Sequence, residues 1–344
     1  MANLITSSLS YSKEDAQKYF LQPLFVQNSA MDYFEIMTNV KSSQKLDKFS
    51  TLDKITVAEA AGFSGQTGVT YTQRSVSVAR MEAEVEQAGG AFFNTIKGEL
   101  LKLGLNKDDV TGTIIQSIIA DIMLRGVKRD LERQLWFSDS SNAAVAYADY
   151  NSYDGIFKQL AGLPAGQKLD IASGTGTNSM NAANAARDTF QAMLEAMPNE
   201  GMENRADLVF FCTRSMADNY RATLRTGNQE LAYLSGVNGT PSLAYQGIPV
   251  VEMAQWDTHI AADSNVATPL VAPSLNTAAD KFDGHICVLT VKNNIVIATD
   301  YNAVSGADVW YNKDLKVNRF RFEYVIGTNF KNTELTVTAD SHTN

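Results

Sequence analysis

Residues 318–339 read NRFRFEYVIGTNFKNTELTVTA. Phe320, Phe322, Tyr324 and Ile326 step by two, which sets four large apolar side chains on one face of an extended strand. Arg319, Arg321 and Glu323 fall on the other face. The apolar face requires a partner with an apolar surface of its own, and the charged face requires water or another charged surface.

The best partner in the chain is a helix. Between Asn106 and Phe137, residues Ile114, Ile115, Ile118, Ile119, Ile122 and Met123 recur at helical spacing, and Leu131 and Leu135 continue the stripe. Asn106 followed by Asp109 suits its start, and SDSSN (138–142) suits its end. About 27 residues at ~1.5 Å each make a rod of roughly 40 Å, a beam for a sheet to pack on.

Further upstream, residues 52–86 read as one long hairpin with a glycine-rich tip, GFSGQTG (62–68). Its returning arm, VTYTQRSVSVARMEAEVE, alternates only loosely, so neither face is deeply buried. Arms of this length at ~3.3 Å per residue project about 30 Å. A two-stranded ribbon is marginal alone in water, so another surface must support it. Residues 1–50 read as an extended arm with short helical pieces; Ser12 caps one of them, Asp15 sits in its first turn and Pro23 limits it. Tyr19, Phe20, Leu24 and Phe25 are too apolar for a free tail and too few for a core, so the arm lies on its own body or on a neighbour.

The centre alternates strand and helix. A helix over 180–197 ends at Pro198; DLVFFC (207–212) is a buried strand; the helix over 213–227 is capped by Thr213 and closed by Gly227. GIPVVEM (247–253), HICVLTV (285–291) and NIVIATD (294–300) are strands, with a tight hairpin turn at Asn293 and Asn294 joining the last two. The fold class is α+β.

Composition excludes several functions. The 344 residues are 44% apolar and only 19% charged, against about 25% in typical soluble domains, as though much of the surface is to be covered. A net charge of −9 without a basic tail offers no grip on nucleic-acid phosphates. No apolar run nears the ~20 residues of a membrane span, and MANLITSSLS lacks the pattern of a secretion signal. Two cysteines, Cys212 and Cys287, are too few for a disulfide framework and fit a reducing cytoplasm.

Catalytic patterns fail one by one. Asp257 and His259 in WDTH lack a second histidine or a cysteine pair for a metal, which leaves His259 as a surface loop residue; His285 is structural and His342 lies on a frayed tail. SGTGTNS (173–179) lacks the third glycine of a dinucleotide fingerprint and the lysine of a P-loop. Arg214, Arg221 and Arg225 share a helix face, either a contact for phosphates and acidic neighbours or a solvated surface. No acid–base pair stands out, so no enzymatic activity, cofactor or metal is assigned.

The order of elements, from about residue 50 to 340, resembles the Hong Kong 97-like major capsid proteins of tailed double-stranded DNA bacteriophages. The stretches that carry the likeness are GVKRDLERQLWFSDSSNA with YDGIFKQLA, RADLVFFCTRSMADNYRATLRTG with YQGIPVVEM, and the closing strands quoted first. The resemblance implies an N-terminal arm (1–50), an extended loop (51–90), a peripheral domain (91–160) built on the long spine helix, an axial domain (161–310), and a return to the peripheral domain (311–344). It implies a shell subunit forming hexamers and pentamers of an icosahedral head around double-stranded DNA, made in the host bacterial cytoplasm and resident in the virion. Its partners would be many copies of itself and a portal protein, with separate scaffolding and decoration proteins as further ones, and no membrane. Contacts between subunits fall to Tyr19, Phe20, Phe25, Phe63, Gln66, Arg74 and Arg80, with a charged contact face at Arg214, Arg221, Arg225, Arg319 and Arg321. The Phe320 face is expected on the spine helix.

One departure is visible. Residues 55–80 hold no lysine, so the lysine–asparagine weld of some members is expected to be absent. Were Met1 retained in an assembled particle, no N-terminal scaffolding segment would have been cleaved. An encapsulin-type nanocompartment shell and a cytoplasmic α/β enzyme using the 173–179 loop are the alternatives.

Overall fold

In the computed structural model, β12 (Val317–Phe330) is the axis of the first of two large sheets. The structure describes residues 32–49, 71–88, 114–141, 151–171, 183–226, 243–253, 255–257, 259, 281–300 and 308–343. β4 (Ala79–Ala88) runs antiparallel along one edge of β12, from Ala79 opposite Ile326 to Ala88 opposite Val317. The other edge is shared by β10 (Ile295–Thr299) and β11 (Asp308–Asn312), because Ile326 pairs with both Ala79 and Thr299, and Arg321 with both Glu84 and Asp308. β1 (Glu35–Met37) adds to β10 in parallel.

The alternation of β12 does what its sequence requires. Phe320, Phe322, Tyr324 and Ile326 are buried in one cluster with Met123, Val127, Leu131 and Leu135 of α1 (Ile114–Phe137). Tyr324 also donates its hydroxyl to Gln134 Oε1 at 2.9 Å, so the polar end of a buried ring is satisfied within the same contact. The Phe320 face therefore packs on the long helix as expected. The start expected at Asn106 lies outside the described residues, as do the side chains of the isoleucine stripe.

The second sheet has six strands in the order β5–β13–β9–β6–β8–β7: Lys168–Asp170, Thr336–Thr343, Lys281–Val291, Leu208–Thr213, Ile248–Met253 and Ala244–Tyr245. Both faces are covered. In β6, Val209 and Phe211 join the core shared with the first sheet, while Leu208, Phe210 and Cys212 face α3 (Ala185–Ala196) and α5 (Arg214–Thr226), between which lies the short α4 (Asn199–Glu203). β9 divides the same way, Ile286 and Val288 against Cys287 and Leu289. This two-sided burial explains why DLVFFC reads as a continuous apolar run. Where the sheets meet, the end of α1 enters an aromatic knot: Trp136 lies 4.5 Å from Trp256, 5.4 Å from Phe157 of α2 (Ile156–Leu160) and 5.8 Å from Phe211, between ring centres.

Several local expectations change. The segment 71–88 is two strands in different sheets: β3 (Tyr71–Ser77) pairs antiparallel with β2 (Ser43–Phe49), Tyr71 opposite Phe49, and only β4 joins β12. The ribbon thus starts at 43, inside the stretch read as arm, and its strands end at Ser77; its glycine-rich tip lies outside the described residues. Val40, Leu46 and Val76 cover Val296 and Ala298 on the far face of the first sheet, so its root rests on its own chain. Asn293 does adopt a left-handed φ of 62° in a tight turn, but β9 and β10 belong to different sheets, so no hairpin forms. The buried Asn294 amide fills the junction, donating to Thr290 Oγ1 at 3.0 Å, Thr336 Oγ1 at 3.0 Å and the Asn332 carbonyl at 2.9 Å. The closing segment is divided too, β12 to the first sheet and β13 to the second. α3 starts at Ala185 rather than 180, and its Ala186 N–H is taken by Asn219 Oδ1 of α5 at 3.1 Å. Among the described residues no helix is long and apolar enough to cross a membrane.

Candidate functional site

The surfaces offered to other molecules follow from what the two sheets leave uncovered. On the first sheet the charged face of β12 meets the outward residues of β4. Arg319 donates to Glu86 at 2.7 Å, and Arg321 to Glu82 at 2.6 Å and Glu323 at 2.6 Å, with Glu84 at 3.3 Å. The pairing register puts Trp310 of β11 opposite Arg319, and Trp310 is 38% exposed. The two arginines thus belong to a ladder of ion pairs with an excess of acid.

The ribbon root is tied down by cations that point inward. Lys48 reaches Glu334, Glu200 at 3.4 Å and Asn332 Oδ1 at 3.3 Å; the charge of Glu334 and Glu200 and their hydrogen bonds outweigh burial, so its pKa is raised. Arg74 donates to Asn329 Oδ1 at 3.2 Å and Thr333 Oγ1 at 3.5 Å, and burial lowers its pKa. Arg80, on β4 opposite Val325, is exposed. The sequence reading includes Arg74 and Arg80 but misses Lys48, whose partners lie 152 and 286 residues away and leave no local signal. Tyr19, Phe20, Phe25, Phe63 and Gln66 lie outside the described residues.

The arginine stripe of α5 is separate, on the far side of the six-stranded sheet. Arg221 bridges Asp218 at 2.7 Å and Glu252 at 2.5 Å; burial opposes its charge, but these two carboxylates prevail and raise its pKa. Arg214 lies 3.6 Å from Asp218, and Arg225 sits in the last turn of the helix. The stripe is largely answered within its own chain.

Asp257 Oδ2 accepts the Arg214 N–H at 2.8 Å and so caps α5, while Thr213 closes the buried end of β6 instead. His259 is not a surface loop residue: its ring packs edge-on against Phe137 at 5.7 Å. Burial first, then the positive charge of Arg133 and Arg129, pushes its pKa down to about 4. His285 is buried on β9, 2.7 Å from Ser215 Oγ through Nδ1. Cys212 and Cys287 are free, buried cross-strand neighbours whose thiols burial pushes up. Among the described residues no three His, Cys, Asp or Glu side chains gather as a metal site. The 173–179 loop and the His342 side chain lie outside the described residues.

Two sheets on one shared core, a long helix under the first and a ribbon docked over it make up the Hong Kong 97-like capsid fold, and the chain has this fold. It superimposes on a chain of the satellite phage P4 procapsid that includes the size determination protein (TM-score 0.53, 8% identity, 94% of this chain and 98% of that one). It is similar as well to a chain of Mycobacterium phage Ogopogo (TM-score 0.54, 9% identity, 90% of each chain). A third match is the capsid of a native GTA particle (TM-score 0.53, 12% identity, 91% of this chain and 89% of that one). No protein-family model matches the sequence, and no curated protein does.

Proposed function

We propose that this chain is a major capsid protein, self-assembling into the hexamers and pentamers of an icosahedral phage head that encloses double-stranded DNA. The observation that carries this reading is the superposition over about nine-tenths of the chain on capsid and procapsid chains. The role is structural, located in the virion, with a portal protein and separate scaffolding or decoration proteins as further partners. In such a subunit the β2–β3 ribbon is the root of the extended loop, α1 with the five-stranded sheet is the peripheral domain, and the six-stranded sheet with α3 and α5 is the axial domain. DNA is enclosed rather than gripped, in keeping with a net charge of −9.

Expression of the chain alone, followed by electron microscopy, tests the proposal. Closed shells, open sheets or isolated rings are expected, whereas a discrete small particle overturns it. Denaturing electrophoresis of the same particles is expected to give one monomer band, since the lysines described on the ribbon, Lys45 and Lys48, lie at its root and Lys48 is held by Glu334.

A further inference from the structure

One face of the ribbon changes character along its length. Directly opposed residues of an antiparallel pair point the same way, so Gln44, Leu46 and Lys48 of β2 share a face with Val76, Arg74 and Thr72 of β3. Towards the root, Leu46 and Val76 lie in the small apolar cluster with Val296 and Ala298. Further out the face is cationic. Arg74 donates to Asn329 Oδ1 and Thr333 Oγ1. Lys48 stands four residues beyond Gln44, about 13 Å along the strand at ~3.3 Å per residue. Its ammonium reaches Glu334, Asn332 Oδ1 at 3.3 Å and Glu200 Oε2 at 3.4 Å. Glu200 belongs to α4, whose Met202 packs on the core of the six-stranded sheet. Asn332 and Glu334 lie in the turn that carries the chain from β12 to β13. That turn is itself fixed. The Asn332 N–H donates to Asn294 Oδ1 at 2.9 Å, and the Glu334 N–H donates to Asn332 Oδ1 at 3.0 Å. One ribbon side chain thus meets oxygens from two elements tied to the other sheet.

These contacts add little stability and much direction. The side chains of Lys48, Glu200 and Glu334 are 23%, 40% and 54% exposed, so solvent screens the pairs. The apolar root keeps the ribbon seated, but hydrophobic contact is non-directional and leaves it free to tilt. An attachment further out removes that freedom. We infer that Lys48 is a clasp that sets the angle at which the ribbon leaves the subunit, and that a neighbouring copy engages the ribbon at this angle; the second part rests on the shell reading above. The residue suits the task. A compact ammonium on a flexible stem can serve oxygens that approach from different elements. Its charge also persists, because Glu334 and Glu200 prevail over burial and raise its pKa. Any error of angle grows outward, into residues 50–70, which join the outer ends of β2 and β3.

Pulsed electron paramagnetic resonance on the unassembled full-length chain tests the clasp apart from assembly. Spin labels are placed through Tyr71→Cys on the ribbon and Glu195→Cys on α3, both exposed positions, while the native Cys212 and Cys287 are buried. A narrow distance distribution is expected, broadened or shifted by Lys48→Met. The exchange of Lys48→Glu with Glu334→Lys, which keeps one ammonium between two carboxylates, is expected to narrow it again. An unchanged distribution in Lys48→Met overturns the inference, since the apolar root would then fix the ribbon by itself. Light scattering during assembly gives the second readout. A ribbon correctly aimed about one-tenth of the time weakens each contact between copies about tenfold. Lys48→Met is therefore expected to raise the concentration needed for shells about tenfold or more, with the urea midpoint of the protomer nearly unchanged. Shells that form at the wild-type concentration despite a broadened ribbon overturn the inference. So does a fall in protomer stability large enough to account for the lost assembly, which would make Lys48 merely structural. Failure of the wild-type chain to form any shell defeats the reading of function, while the distance measurement still decides whether Lys48 holds the ribbon.

Discussion

The two sheets are built to different rules. In the six-stranded sheet every residue of β6 is buried, with alternate side chains entering two separate cores. In the five-stranded sheet β12 buries its phenylalanines on one side and carries paired arginines and glutamates on the other. Among the described residues, β6 of the first is covered on both faces by its own chain. The second keeps a charged face and a ribbon for whatever lies outside, which is the division of labour a subunit of an assembly requires. The largest effect is accordingly expected in the two-sided sheet. Phe211 is fully buried and meets the rings of Tyr33, Phe34 and Trp136 at 5.4–6.0 Å, so it fastens both sheets to the end of α1. Phe211→Ala is expected to cost about 3–5 kcal/mol in urea unfolding of the protomer. A loss below about 1 kcal/mol, the scale of an ordinary surface change, would mean that the two sheets hold together without the aromatic knot.

An intermediate effect is expected where the five-stranded sheet and the ribbon touch backbone to backbone. Gly327 sits within β12, and a Cβ added there would lie 1.9 Å from the Ser77 carbonyl oxygen and 3.0 Å from Val78 Cα. Neither atom can swing aside as a side-chain tip could, so Gly327→Ala must move either β12 or the crossing between β3 and β4. Overpacking of this kind costs about 1–3 kcal/mol. Amide hydrogen exchange is expected to quicken in β2 and β3 while β6 and β9 keep their protection. Uniform loss across both sheets would show that the ribbon root and the central sheet unfold as one unit.

The contrast between the sheets also explains what was legible in the sequence. β12 announces itself because one face is buried and one is wet, and β6 because a two-sided strand is apolar throughout. β2, SQKLDKF, gives almost no signal, because Leu46 is the only side chain of its first six residues that enters a core. The break at Val78 escapes notice because neither glycine nor proline marks it; the chain merely changes sheet there. Asn293 marks a real turn, yet a turn dictates a reversal and not which strands will pair. Asp257, Asn219 and His259 act across long stretches of chain, capping α5 and α3 or packing on Phe137, and no local pattern encodes that.

The smallest effect is expected on the charged face that first set the problem. The Arg319–Glu86 pair has good geometry at 2.7 Å, but Glu86 is more than half exposed and Arg319 a third exposed, so water and salt screen it. A double-mutant cycle with Arg319→Ala and Glu86→Ala in the protomer is expected to give a coupling of about 0.2–1 kcal/mol at low salt. That coupling should fade towards zero near 1 M salt, where the Debye length is about 3 Å. A coupling well above this range that survives high salt would mean that the face is desolvated within the single chain, and the two sheets would then differ less than their side chains imply. If the coupling stays small in the protomer but grows when the cycle is repeated on shell dissociation, the desolvation is supplied by a second molecule. The charged side of β12 is then where one copy meets the next, and its arginines and glutamates are dressed for water only until assembly.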